Sequence, residues 1–252
     1  MKIDSSINIL GSLKDWGLVH VFNEQSLNHK ELLSNYAVFT TIKTSNSIGR
    51  FEHVIKNTLL SFKSENLRLL FQSVFHEKGL SQESMLMLFW NTAANNELFS
   101  YLNDKIYFPA LYSGRIAIKR DEVIACLREL RLHENDLKEW SDATITITAS
   151  KYLTLLKKYG LMEGSVNKTI KHIWLSDELF IVFMYWLVEI SNKSNLLDNS
   201  WLQYSFIEKQ AFLDRLLQKR FSKYYHVNYT GDKLHIEPIL PYEYIYEHIA
   251  QS

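Results

Sequence analysis

Lysines recur where an amphipathic stretch ends and a turn begins. Between Lys151 and Trp174 stand Lys151, Lys157, Lys158, Lys168 and Lys171 against a single acid, Glu163. A second group holds Lys209, Arg215, Lys219, Arg220, Lys223 and Lys233, interleaved with Glu208, Asp214 and Asp232. Ammonium and guanidinium groups in such clusters neutralise phosphates, the term that supplies most non-specific affinity for nucleic acid. Thr144 and Thr148 precede the first cluster and could contact phosphate or base edges. Tyr224, Tyr225 and Tyr229 add aromatic surface to the second. The candidate nucleic-acid-binding residues are therefore Thr144, Thr148, Lys151, Lys157, Lys158, Lys168, Lys171, Lys219, Arg220 and Lys223. The same lysines also fit an ordinary solvated helix face.

Chemistry of other kinds has little to stand on. The nine histidines are scattered and form no HExxH or HxH pattern, and one cysteine cannot build a thiolate site. No catalytic residues, metal site or cofactor are expected. Phosphate cradles of the GxxxxGK[ST] or GxGxxG kind are absent, as is a GxSxG nucleophile elbow. Glu122 with Glu129, or Glu134 with Asp136, could pair as carboxylates, but such pairs are common on solvated helix faces. An enzyme with a site dispersed in sequence stays open as a third reading.

The elements that must position the lysines occur twice. Leu155-Leu156-Lys157-Lys158-Tyr159-Gly160 precedes a turn at Val166-Asn167-Lys168 and the alternating run Ile170 to Trp174. Leu216-Leu217-Gln218-Lys219-Arg220-Phe221 precedes Tyr224 to Val227, a turn at Thr230-Gly231-Asp232, and Leu234 to Glu237. Each reads as a helix with a basic end followed by a β-hairpin, the outline of a winged-helix unit. Such units often bind nucleic acid, and some serve only as protein-contact modules. Thr144 to Thr148 alternates with Ile145 and Ile147 and is strand-like on propensity. A helix capped by Ser141 or Asp142 is preferred, because its apolar face runs on through Ala149, Tyr152, Leu153 and Leu156.

Upstream, the i, i+3, i+4 spacing predicts a series of short helices. One holds Leu32, Leu33 and Tyr36; a polar loop follows from Thr40 to Ser47. The next runs from Phe51 to Phe62, another from Leu67 to Lys78 with Gly79 behind it. Ser81 caps a further one; Glu97 to Phe108 stops near Pro109; Asp121 to Arg131 follows. Cys126 is expected as a buried residue on that last helix. Residues 1–28 are hard to read, with Trp16, Val19, Val21 and Phe22 as a short docking segment. Asp177 to Ser191 reads as a buried core helix, since the apolar window 179–188 is far shorter than the roughly 20 residues of a membrane span. Asn192 to Ser200 reads as a polar linker, Phe206 to Phe221 as a helix, and Tyr242 to Ala250 as a terminal one. The fold class is mainly α. An N-terminal segment (1–28) and a helical bundle (29–135) precede a winged-helix-like unit (136–192) and a second helix-hairpin unit with a terminal helix (193–252).

Composition agrees with a globular, helix-rich chain: 46% hydrophobic residues and only 3 prolines in 252. The 28 basic and 28 acidic residues balance, so attraction to nucleic acid must come from local patches. A single cysteine excludes an intrachain disulfide and permits a reducing compartment. Met1-Lys2-Ile3-Asp4 lacks the apolar core of a signal peptide.

Glu139-Trp140-Ser141-Asp142-Ala143-Thr144, with Lys151 to Met162, resembles the central signature of the BrxA family of bacteriophage-exclusion (BREX) defence systems. Gly231 to Ile236, with the proline and terminal helix that follow, resembles the family's ending, and the upstream helices with Arg50 and Arg68 resemble its helical half. The resemblance implies a non-enzymatic, cytoplasmic defence component with a helical part similar to the antitermination factor NusB. A nucleic-acid-binding role follows by analogy, DNA ahead of RNA, alongside other BREX components as partners. The family has also carried an inner-membrane label, which the short apolar window argues against. Neither a membrane partner nor a small-molecule substrate is expected. The rival reading is an adaptor within the defence complex, docking through Trp201, Tyr204, Phe206, Tyr224 and Tyr225.

Overall fold

The computed structural model describes residues 3, 5–14, 16–23, 45–165, 168–191 and 195–250. The helix expected around Leu32 to Tyr36, most of the loop expected from Thr40, the turn at Val166-Asn167 and the start of the linker at Asn192 lie outside them. The architecture is mainly α, with two small antiparallel hairpins. The chain forms two compact units, Met1–Ser61 with Met85–Lys171, and Phe62–Ser84 with His172–Ser252.

The first unit opens with α1 (Ser6–Leu10) and α2 (Gly17–Asn23), so helix forms within a segment whose pattern gives no clear period. Ile7, Leu10, Leu13, Leu18, Val19 and Phe22 are all buried. Helix α3 (Ser45–Val54) passes into a π-helical turn, Ile55–Leu59. Helix α5 (Gln82–Asn95) carries Leu88, Phe89, Trp90 and Thr92 into the core. Asn96 caps α6 (Glu97–Leu102), its side chain accepting the Phe99 N–H at 2.7 Å. The chain does not stop near Pro109. A second π-turn, Asn103–Tyr107, leads into α7 (Phe108–Tyr112), so the helical run passes through Pro109, with the wider turn immediately before the residue that lacks an N–H.

Helix α8 (Arg120–His133) and helix α9 (Asp142–Lys158) pack together, with α1 also against α9. Helix beats strand across the threonine run because Ser141 accepts the Thr144 N–H at 3.2 Å and the apolar face is continuous. Strands β1 (Met162–Glu163) and β2 (Thr169–Ile170) form a hairpin far shorter than the alternating run suggested. On its other side β2 meets residues 116 and 117: Ala117 bridges Thr169, and the Ile170 N–H donates to the Ile116 carbonyl at 2.8 Å.

The core of this unit is aromatic. Tyr159 lies 5.8 Å from Phe89, 5.9 Å from Phe99 and 5.5 Å from Trp16, ring centroid to centroid. Its buried hydroxyl sits 2.6 Å from the Thr92 hydroxyl, which donates to the Leu88 carbonyl. Tyr152 stacks edge-on to Phe99 at 5.7 Å and donates to Asn103.

The second unit is built around α10 (Asp177–Ile190), whose residues 179–187 are buried on every side, as expected of a core helix. Helix α4 (Glu65–Lys78) joins this unit through Glu189, which accepts from Ser64 at 2.7 Å and Asn66 at 2.8 Å. A 3-10 turn, Leu196–Asp198, lies within the expected linker, and a second, Ser200–Ser205, follows from its last residue. Helix α11 is shorter than expected, Lys209–Leu216: Phe206 at φ +61° precedes its start, and the chain leaves helical backbone at Leu217. A 3-10 turn at Lys219–Phe221 follows. Strands β3 (Tyr225–Tyr229) and β4 (Leu234–Pro238) pair with Val227 opposite Ile236, their turn closed by Gly231 at φ +91°. The Tyr185 hydroxyl donates to the Tyr224 carbonyl at 2.7 Å and accepts from the Leu240 N–H at 2.9 Å, tying α10 to this hairpin. A 3-10 turn and α12 (Ile245–Ala250) end the chain, with the Tyr246 N–H on Ser73. No helix among the described residues is long and apolar enough to cross a membrane.

Gly11 marks the closest approach of α1 to α9. A Cβ there would stand 2.7 Å from Lys151 Cβ and 2.9 Å from its carbonyl oxygen, although φ is an ordinary −63°. Gly11→Ala should therefore destabilise the protein by about 1–3 kcal/mol through overpacking. Gly49→Ala, within α3 and facing open space, should stabilise by roughly 0.5–1 kcal/mol. Urea midpoints moving in opposite directions are the expected result; an unchanged midpoint for Gly11→Ala would contradict the close packing.

Candidate nucleic-acid interface

The turn between α8 and α9 is held by charge. Asp142 accepts from Arg128 at 2.9 Å and from Arg131 at 3.1 Å, and Arg131 also donates to the Trp140 carbonyl at 3.0 Å. The Arg128 bond first, then its charge and the Arg131 bond, keep the Asp142 carboxyl below its usual range. Asp142 lies in the first turn of α9, where a negative charge also suits the helix dipole. Glu122, one of the possible catalytic carboxylates, instead accepts the Lys119 N–H at 3.0 Å and the Arg115 guanidinium at 2.6 Å at the start of α8. Cys126, on α8, is only half-buried.

The face that α9 turns outward carries Ala143, Thr146, Ile147, Ser150, Thr154 and Lys157. These positions fall at helical spacing opposite Ile145, Ala149, Tyr152, Leu153 and Leu156, all buried. Three hydroxyls on the outward face donate one turn back: Thr146 to the Asp142 carbonyl at 2.8 Å, Ser150 to Thr146 at 3.0 Å, Thr154 to Ser150 at 2.7 Å. All three residues are half-buried, and the Thr154 oxygen also accepts from the Lys168 ammonium at 3.4 Å.

The sequence-derived residues separate on this geometry. Thr148 is wholly buried and its hydroxyl donates to the Thr144 carbonyl at 2.9 Å, so it faces the core rather than a ligand. Thr144 is half-buried beside Ser141, with 3.0 Å between the hydroxyls. Lys158 is engaged inward. Its ammonium donates to the Gly11 carbonyl at 3.3 Å and to the Leu13 carbonyl, and lies 5.9 Å from the centroid of the Trp16 ring. Lys151, half-buried, adjoins Gly11. Lys157 and Lys171 are exposed. Lys168 reaches Thr154 at 3.4 Å, and its amine is lowered by burial and then by the charge of Lys157. Lys157 and Lys168 thus come together at the end of α9 and the start of β2.

The other three candidates belong to the second unit. Lys219 is exposed and lines an open pocket of about 310 Å³ with Ser222, Tyr225 and His226. Arg220 pairs with Asp177 at 2.6 Å, and the Lys223 ammonium lies 5.0 Å from the Tyr224 ring centroid. Tyr204, Phe206, Tyr224 and Tyr225 are buried, which removes four of the five aromatics of the expected adaptor surface; Trp201 is partly exposed. Among the described residues no group of three His, Cys, Asp or Glu side chains is placed to hold a metal ion.

Periodicity could have found the outward face of α9. Reading 145, 149, 152, 153 and 156 as the apolar stripe places 143, 147, 150, 154 and 157 opposite it. It could not have shown that Lys158 reaches back to the N-terminal segment.

Burial first, and then the charge of Lys151, push the Lys158 amine down from 10.5 to about 8. Between those values the unfolded chain binds more protons than the folded one. The strain of holding the ammonium is therefore present at neutral pH and relieved as pH rises from about 8 toward 10.5. Compared with Lys158→Met, the protein should gain stability across that window in denaturant melts. Parallel curves for the two chains would show that Lys158 titrates normally.

The BrxA family model matches residues 42–184, more than half of the chain. No curated protein matches it. The matched stretch runs from the start of α3 through the Arg–Asp142 clamp, the outward face of α9 and the first hairpin into α10. The chain belongs to the BrxA family, and so to the proteins associated with BREX defence.

Proposed function

We propose that this protein is a non-enzymatic, nucleic-acid-binding accessory component of a BREX system, acting in the cytoplasm on duplex DNA ahead of RNA and alongside other BREX components. The reading is carried by the order α7, residues 116–117, α8, turn, α9, β1, β2, with β2 paired to both β1 and residues 116–117. That is the order of a winged-helix unit, in which the second helix of the helix-turn-helix enters the major groove. In this reading α9 is the groove helix. The hydroxyls of Thr146, Ser150 and Thr154 and the side chain of Ile147 face base edges, and Lys157, Lys168 and Lys171 hold phosphates. Mutual repulsion between Lys157 and Lys168 favours an anion between them. The helices upstream supply the NusB-like part of the same proposal. The adaptor alternative is weaker, since most of its aromatic surface is buried.

Duplex DNA binding should fall steeply between about 50 and 200 mM salt. Lys157→Glu with Lys171→Glu should weaken it and reduce the slope of log K against log salt by roughly 0.9 for each phosphate no longer neutralised. Both side chains are exposed, so thermal stability should change little. Anisotropy titrations of labelled duplex check this. Binding that is absent, or unaltered in the double variant, overturns the reading and returns weight to the adaptor.

A further inference from the structure

Trp174 stands 72% exposed in the segment between β2 and α10, yet its ring is not loose. The Arg215 guanidinium carbon lies 4.6 Å from the centroid of its indole and 4.3 Å from that of Phe180, so the guanidinium is held between two rings. Arg215 is itself 4% exposed. One of its nitrogens, Nη2, donates to the Leu175 carbonyl at 2.7 Å and to Asp177 at 2.9 Å. Its Nε and Nη1 are buried with no hydrogen-bond acceptor. The second Asp177 oxygen is taken by Arg220 at 2.6 Å, and the Arg220 side chain is 55% exposed. Two guanidiniums thus share one carboxylate, and the cluster is short of both negative charge and acceptors.

Burial does not account for this arrangement. Covering an indole removes a large apolar area from water, and here most of that area stays wet. A buried guanidinium with two unmatched nitrogens costs stability. What the cluster does supply is a flat π-surface backed on one face by a cation and open on the other, with an exposed guanidinium beside it. A ligand that meets both needs is a planar base joined to a phosphate. Stacking is indifferent to base identity, so an unpaired strand is the natural occupant, and a base inside a duplex has its faces covered.

We infer that Trp174, backed by Arg215 and flanked by Arg220, is a stacking site for an unpaired nucleobase of single-stranded DNA, with Arg220 on the adjoining phosphate. The site lies in the second unit and does not depend on the duplex reading of α9 in the first.

The test uses the full chain and oligothymidylate of about 12 nucleotides, within the span of known single-strand grooves. Tryptophan emission should fall on titration, and the fall should be lost in Trp174→Leu. Affinity should drop about ten-fold or more in Trp174→Leu, less in Trp174→Phe, which keeps an aromatic face. Arg220→Gln should weaken binding and flatten its salt dependence. Equal quenching in the unaltered protein and Trp174→Leu, or affinities within about two-fold, would overturn the site. Should Trp174→Leu unfold, quenching of the unaltered protein against Trp174→Phe decides the matter. A parallel duplex titration separates the two proposals: loss of duplex binding with oligothymidylate binding retained sinks only the α9 reading, and the reverse sinks only this one.

Discussion

The buried hydroxyl pair of Tyr159 and Thr92 is the interaction on which the first unit turns. Burying a tyrosine costs less when its hydroxyl finds a partner, and Thr92 supplies one at 2.6 Å. Around that pair Phe89, Phe99 and Trp16 close on the ring. Because Tyr159 follows directly on α9, the cluster sets the height and rotation of that helix. The rotation decides which residues face outward. At the other end, Arg128 and Arg131 on Asp142 bridge the turn into the helix, so α9 has contacts at both ends.

The second unit solves a different problem. Helix α10 is apolar on every side and must be covered all round. Helix α4, far away in sequence, is recruited for this, with Glu189 accepting from Ser64 and Asn66 at its start. The Tyr185 hydroxyl bridges to the second hairpin by donating to one backbone group and accepting from another, which leaves no buried polar group of its own unmatched. Arg215 is the contrast. Its guanidinium is matched on one nitrogen and stacked between rings, and the mismatch falls beside the most exposed tryptophan of the unit.

Lysines of identical sequence character divide sharply. Lys157 and Lys158 are neighbours, but one step around a helix is about 100 degrees. That rotation leaves Lys157 in solvent and turns Lys158 toward the Gly11 and Leu13 carbonyls, where it acts as a hydrogen-bonding strut for the N-terminal segment. The same rotation buries Thr148 and leaves Ser150 and Thr154 on the outward face. Choosing residues by type at the start of a helix therefore selects one threonine inside the fold and passes over half-buried hydroxyls on the outward face.

Much of the local structure was legible in the sequence because it rests on local chemistry. Ser141 announces the start of α9, Gly79 the end of α4, and Gly231 the turn of the second hairpin; the 3.6-residue period predicts most helices between Phe51 and Ile190. The mainly α class and the family follow from that pattern and from the residues around Trp140 and Lys151. Tertiary structure alone decided what depends on distant partners. That includes the recruitment of α4 by Glu189, the inward turn of Lys158, the burial of Tyr204, Phe206, Tyr224 and Tyr225, and the pairing of residues 116–117 with β2. It also includes the stacking of Arg215 under Trp174, two residues that stand far apart along the chain. A periodic pattern says that a face is apolar, and only the packed partner determines which polar side chains at its margin are drawn in and which are left to meet a ligand.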